Sequence, residues 1–172
     1  PSPQKVLDAA LRFLSYRPRS EAELRRRLFR RYPAPLIEDT ILLLKDRQLL
    51  DDAAFALFWR ESREASRPKG ATALTWELLR MGVSREVVSE ALQGLDEEDN
   101  AFRAANKVVR KLREVDYDTF KKKLVPYLRR RGFNTEVTNR TVRRLWQELS
   151  DPVDGGVEGN EHHQQPEDIA HQ

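Results

Sequence analysis

Leucines recur at a fixed interval of 50 residues in this chain: Leu24, Leu74 and Leu124 form one set, and Leu28, Leu78 and Leu128 a second. Ile37, Val87 and Val137 keep the same interval, as do Leu42, Leu92 and Val142. The residues just ahead of the third set read Tyr32-Pro33, Gly82-Val83 and Gly132-Phe133, so the punctuation repeats with the apolar positions. Such a period admits few folds. Each unit is one supersecondary element that buries its face partly against the next, giving an elongated, curved array and not a ball.

The unit itself reads as three helices. Val6, Ala10, Leu11, Phe13 and Leu14 fall at helical spacing, and Pro18 ends a first helix over about 6–16. Ser20 with Glu23 three positions on is a capping box, which starts a second helix whose apolar stripe is Leu24 and Leu28. Pro35 then opens a third helix through Ile37, Ile41, Leu42 and Leu44. In the later units the first helices run from Asp52 to about Ser66 and from about Glu98 to Val115. Asp51, Asp52, Asp118 and Asn134 or Thr135 stand at N-cap positions, and Gly82 and Gly132 at C-caps, where a left-handed residue is favoured. Pro126 lies inside the second helix of the third unit and predicts a kink. No segment alternates as a strand does. The expected fold is all-α, with three-helix repeats at 1–50, 51–97 and 98–149, followed at 150–172 by a disordered acidic tail with little to bury.

Charge divides along the same units. The chain has 172 residues, 31 Lys+Arg and 28 Asp+Glu, for a formal net charge of +3. Residues 150–172 hold six of the acids and no Lys or Arg. Cut at 50 and 100, the remainder carries 11 basic and 6 acidic residues, then 6 and 11, then 14 and 5: segments of +5, −5 and +9. Two basic ends flanking an acidic middle are the footprint of a protein that meets a polyanion.

Other features narrow the chemistry. Zero cysteines exclude disulfides, thiolate metal sites and thiol nucleophiles. No apolar run approaches the 18 to 20 or so residues of a membrane span, and PSPQKVLDAA lacks the pattern of a signal peptide, so the expected compartment is the cytosol. There is no phosphate-binding glycine loop and no nucleophile elbow, and all three histidines fall in the tail. Asp51-Asp52 and Glu97-Glu98-Asp99 precede helices, where carboxylates cap N–H groups. The expectation is a protein without catalysis, cofactor, metal or small-molecule substrate, acting as a monomer.

The basic runs carry more information. With Leu24 and Leu28 inward, 100° per residue turns Arg26 and Arg30 nearly away from the core, with Arg27 and Arg31 on the flank. The same wheel on Leu124 and Leu128 leaves Lys122, Lys123, Arg129 and Arg130 outward and Arg131 at the edge. Arginine's planar fork suits phosphates and carboxylates, so these nine residues are the candidate binding set. Phe58, Trp59, Trp76, Phe133 and Trp146 fall on or beside apolar stripes and are expected to pack in or between repeats, with stacking on bases as the alternative.

Several strings resemble a known family. Ala10-Leu11-Arg12-Phe13-Leu14-Ser15-Tyr16-Arg17-Pro18-Arg19-Ser20-Glu21-Ala22-Glu23-Leu24 is the longest, followed by Leu50-Asp51-Asp52 with Phe55-Ala56 and Arg60. Lys69-Gly70 with Leu74, Glu77-Leu78 and Gly82-Val83 comes next, then Leu124-Val125-Pro126-Tyr127-Leu128-Arg129-Arg130-Arg131-Gly132-Phe133. Together, over about residues 5–149, they are similar to the RecX family of bacterial recombination regulators. The resemblance implies three tandem three-helix repeats, in agreement with the period. It also implies a protein without catalysis that acts in homologous recombination and the SOS response. Such a protein lies in the groove of the RecA filament on single-stranded DNA and restrains RecA's ATPase, strand-exchange and coprotease activities. The alternative from the residues alone is a stand-alone nucleic-acid binder, of single- or double-stranded DNA, whose units act as helix-turn-helix modules. The third helices PLIEDTILLLKD and SREVVSEALQGL are too acidic or too apolar to face phosphates, and only NTEVTNRTVRRL suits that role.

Overall fold

The computed structural model describes residues 1–151, so the tail expected at 150–172 lies, but for its first two residues, outside the described part. The described residues form nine α-helices and no strand. The first three are α1 (Pro3–Leu14), α2 (Glu21–Leu28) and α3 (Ala34–Asp46). Then come α4 (Asp52–Ser66), α5 (Ala71–Arg80) and α6 (Arg85–Ala91). The last three are α7 (Glu97–Val109), extended by a 3-10 turn at Arg110–Leu112, α8 (Tyr117–Arg130) and α9 (Thr135–Ser150). Each repeat encloses its own core: Val6, Leu24, Ile41 and Leu44 in the first, Phe55, Leu78 and Val88 in the second, Phe120, Leu124, Leu128 and Leu145 in the third. Three small cores and no shared one are what a 50-residue period dictates.

Capping sets most boundaries. α1 begins earlier than its apolar spacing suggested, because the Ser2 side chain accepts the Lys5 N–H and Pro3 needs no donor in a first turn. The Ser20–Glu23 capping box is formed in both directions. Asp51 caps α4 and Asn134 caps α9. Asp118 is not a cap; Asp116 takes that place by accepting the Thr119 N–H, and Asp118 sits in the first turn of α8. Asp52 is also inside its helix, and its carboxylate serves a different repeat. Gly82 and Gly132 adopt φ of +82° and +89°, ending α5 and α8 in the same turn. In both, the residue after the glycine donates its N–H back to the leucine five positions earlier, Val83 to Leu78 and Phe133 to Leu128. α8 runs through Pro126 without interruption, with that proline on its exposed side.

Two apolar expectations fail for the same reason. Leu42 is 60% exposed and Trp76 59% exposed. The buried stripe of α3 is Ile37, Thr40, Ile41 and Leu44, and Leu42 lies about 140° around the wheel from Ile37. Trp76, two residues from both Leu74 and Leu78, faces away from the core as Arg26 does one repeat earlier. Trp59, Trp146 and Phe133 do pack: Trp146 lies 5.2 Å from the Phe120 ring, and Phe133 is buried.

The repeats join end to end through their second helices. At the first junction the Ser20 hydroxyl, at the start of α2, donates to the Met81 carbonyl at the end of α5 (2.6 Å). Ala22 packs so closely on Gly82 that a Cβ there would overlap it. At the second, the Gly70 N–H, at the start of α5, donates to the Arg131 carbonyl at the end of α8 (2.9 Å). Helices α8, α5 and α2 therefore run head to tail, each negative C-terminus against the positive N-terminus of the next.

Candidate polyanion-binding surface

The head-to-tail course of α8, α5 and α2 aligns equivalent positions of the three repeats. Arg30, Arg80 and Arg130 occupy one register, 50 residues apart, and all three are exposed. The row was in the sequence, but Arg80 sits in the acidic middle segment and was not among the candidates.

In the first repeat Arg26, Arg27, Arg30 and Arg31 are all exposed, but α2 ends at Leu28, so Arg26 and Arg27 lie on the helix and Arg30 and Arg31 on the turn that follows it. The guanidinium of Arg27 lies 5.4 Å from the Phe13 ring of α1. There, Arg12 and Tyr16 join Arg27, Arg31 and Tyr32 around a small cleft between α1 and the end of α2. Among the described residues no acid lines it, and Arg12, Arg27 and Arg31 form no ion pair. Next to the cleft, Arg19 stacks 4.1 Å from Phe13. Burial, then the Arg17 guanidinium, holds Arg19 below its usual range, with Arg27 adding to this and Glu23 opposing. Arg25, between the candidates, is neutralised: its guanidinium bonds Glu38 at 2.8 Å and reaches Glu21.

The third repeat presents a second cluster. Lys122, Lys123 and Arg130 are exposed on α8, while Arg129 donates to the Thr135 hydroxyl at 2.7 Å. Arg131 is half-buried, its guanidinium 4.6 Å from the Tyr127 ring. Lys111, on the 3-10 turn, joins Lys123 and Arg130 around a cleft that sequence reasoning missed, because only the crossing of α7 and α8 brings them together. The structure thus gathers the nine candidates into two clusters and keeps the clusters apart, with α5 between them.

The middle repeat shows why its seam is different. At the register of Arg27 and Tyr127 it has Glu77. The Glu77 carboxylate accepts from Trp59 Nε1 (2.7 Å), from Arg63 (3.1 and 3.2 Å) and from Lys69. Burial pushes this carboxyl up, but Lys69, Trp59 and Arg63 outweigh it and hold it below the usual carboxylate range. The cations that line the first and third seams openly are consumed internally in the second. Among the described residues no group of three or more acids and histidines is placed to hold a metal, and no helix is long and apolar enough to cross a membrane.

Family models match the chain three times in succession: RecX, first three-helix domain, over residues 7–42, second three-helix domain over 51–92, and third three-helix domain over 96–142. The chain belongs to the RecX family. It is 34% identical over 139 residues to the regulatory protein RecX of Chlorobium limicola, covering 80% of this chain and 87% of that one. It is 37% identical over 137 residues to the regulatory protein RecX of Mycobacterium marinum, covering 77% and 79%. The crystal structure of RecX from Lactobacillus salivarius shares the fold at a TM-score of 0.74 and 20% identity, over 83% of this chain and 96% of that one. A second crystal structure of a regulatory protein RecX superposes at 0.71 with 23% identity, over 81% and 72%. The RecX repeat boundaries coincide with the helix triplets, and both cationic clusters fall inside the matched segments.

Proposed function

We propose that this RecX-family chain is a non-catalytic regulator of RecA in homologous recombination and the SOS response. It binds the RecA filament on single-stranded DNA and restrains the ATPase, strand-exchange and coprotease activities, acting in the cytosol as a monomer without cofactor. The observation that carries the reading is the match of all three repeats to RecX regulators, and the charge geometry agrees with it. Arg26, Arg27, Arg30 and Arg31 at one end, and Lys122, Lys123, Arg129, Arg130 and Arg131 at the other, give a linear array two contact points along a polyanionic filament.

A stand-alone helix-turn-helix binder fits less well, because the one basic third helix is largely neutralised. Arg140 pairs with Glu98 (2.8 Å) and Glu136 (3.0 Å), and Arg144 pairs with Glu148 and stacks 3.8 Å from Phe102. The deciding experiment is RecA's ATPase rate on excess single-stranded DNA as the protein is titrated in, at two salt concentrations. A fall at protein levels well below those of RecA is the expected result. No change, with tight salt-sensitive binding to bare DNA, transfers the function to the stand-alone reading.

A further inference from the structure

The junction between the second and third repeats leaves an aromatic ring in the open beside unpaired cations. Trp76 is 59% exposed on α5, whereas Trp59 and Trp146 are packed. The Arg80 guanidinium lies 4.6 Å over its ring. The groove beside it is lined by Ala71, Ala73, Trp76 and Leu79 of α5 and by Arg129 and Arg130 of α8. Among the described residues no acidic side chain lines it, although the segment 51–100 is net negative. Five acids of that segment are engaged elsewhere: Asp51 caps α4, Asp52 and Glu97 cap α2 and α5, Glu64 pairs with Arg60, and Glu77 holds the internal network. Among the described residues Arg80 and Arg130 form no ion pair.

We propose that this groove is a single-stranded DNA subsite, in which a base stacks on Trp76 while Arg130 and Arg80 take the flanking phosphates. The proposal deepens the reading above and rests on it for the choice of polyanion. A flat indole flanked by guanidinium forks matches a nucleotide on both counts, since the ring accepts any base face and the fork any phosphate. The shallow floor of alanines admits a flat ring and offers no socket for the bulky apolar anchors that dominate protein docking. The register adds a reason: Arg80 and Arg130 end α5 and α8, and Arg30 sits just past the end of α2, on three helices joined head to tail. At 1.5 Å rise per residue each step along that row is a contour of roughly 20 Å. The middle repeat then becomes a stacking platform between two phosphate clusters and not a gap between them.

The full chain is titrated with a labelled 15-mer of thymidylate and with an abasic strand of equal length, following anisotropy and tryptophan emission together. The expected result is quenching by the thymidylate strand only. Trp76→Ala should bind that strand roughly five- to thirty-fold more weakly and the abasic strand as wild type does. Arg130→Gln should flatten the salt dependence by a little under one logarithmic unit, the share of one phosphate on a single strand. Both side chains are exposed, and an unchanged melting temperature shows that the fold is kept. Binding without quenching, or Trp76→Ala within twofold of wild type on thymidylate, overturns the proposal. So does a Trp76→Ala variant that keeps DNA binding and loses its effect on RecA, which would make the groove a protein contact. Quenching by DNA with no effect of the wild type on RecA leaves the subsite standing and removes the regulatory reading; the reverse pattern removes the subsite alone.

Discussion

The Asp52 carboxylate, in the first turn of α4, accepts the backbone N–H of Glu21 at the start of α2 (2.9 Å). One repeat later Glu97 holds the same position in α7 and accepts the N–H of Ala71 at the start of α5 (2.7 Å). Each repeat thus caps the middle helix of the one before it, satisfying an N–H that an isolated helix leaves without a partner. Backbone polar groups therefore take a direct part in the coupling between repeats whose cores are separate.

Removing such a cap should cost an ordinary capping energy. Asp52→Ala is expected to lower unfolding stability by about 1–2 kcal/mol. Burial pushes the Asp52 carboxyl above its usual range, against the Glu21 N–H. A group whose folded-state pKa is raised opposes folding above that pKa and ceases to do so as pH falls, so a neutral acceptor should serve as well. Asp52→Asn is therefore expected within about 0.5 kcal/mol of wild type at neutral pH. Urea unfolding of both variants checks this, and equal losses would show that charge and not acceptance holds the junction.

The glycines divide by what surrounds them. A Cβ at Gly132 would overlap Ala73, and φ there is +89°; a Cβ at Gly70 would overlap the Gly132 carbonyl. Gly94 has φ of +69° but nothing within 4 Å of an added Cβ. Gly94→Ala should cost only the left-handed strain, about 1 kcal/mol. Gly70→Ala and Gly132→Ala should each exceed about 2 kcal/mol, because helices α5 and α8 must move apart. Thermal melts of the three variants give the order.

Much of this architecture is legible in the sequence because it rests on local signals. The 50-residue period, the Ser20–Glu23 box and the C-terminal glycines at 82 and 132 each report a constraint that a short segment imposes on itself. What the sequence does not disclose depends on crossing helices. That Asp52 serves α2 and not its own helix, and that Arg12 and Tyr16 meet Arg27 and Arg31, follow only from the packing of α1 and α4 against α2. Trp76 was misjudged although the wheel that exposed Arg26 also exposes it, since apolar character outweighed position. Helical periodicity accounts for Arg26 and Arg27 and for Lys122, Lys123, Arg129 and Arg130, whereas Arg30 and Arg31 follow the end of α2, and Arg80 is masked by the acidity of its neighbours.

Glu77 should make the middle repeat sensitive to acid. Its folded-state pKa lies below the usual carboxylate value, so its stabilising contribution is complete above that value and is lost as pH falls through the folded pKa. Its side chain is only 15% exposed and bonded to Trp59, Arg63 and Lys69. Glu77→Gln is expected to cost about 1–3 kcal/mol at neutral pH, leaving two cations with a neutral partner. As pH falls from the usual carboxylate range through the lower folded-state pKa, the two proteins should converge as wild type protonates. Parallel curves of stability against pH would remove Glu77 as the cause.

Charge reversal separates binding cations from structural ones within a single helix surface. Arg26 projects from α2 and Arg30 from the turn after it, neither with an ion pair among the described residues, while Arg25, beside Arg26, bonds Glu38 and Glu21. If α2 presents a phosphate- or carboxylate-binding face, Arg26→Glu with Arg30→Glu should weaken association with the RecA filament at least tenfold and leave the melting temperature nearly unchanged, since neither side chain holds anything in the folded protein. Arg25→Glu should do the opposite, opposing Glu21 and Glu38 and lowering stability with a smaller change in association. The same contrast holds on α8, where Arg130 has no ion pair among the described residues and Arg129 donates to Thr135. Arg130→Glu is expected to act on association alone, and Arg129→Glu on both. Association from filament ATPase inhibition, set against melting temperature for the variants, gives two groups on this account. A single line through all of them would mean that stability, and not a charged face, governs the effect.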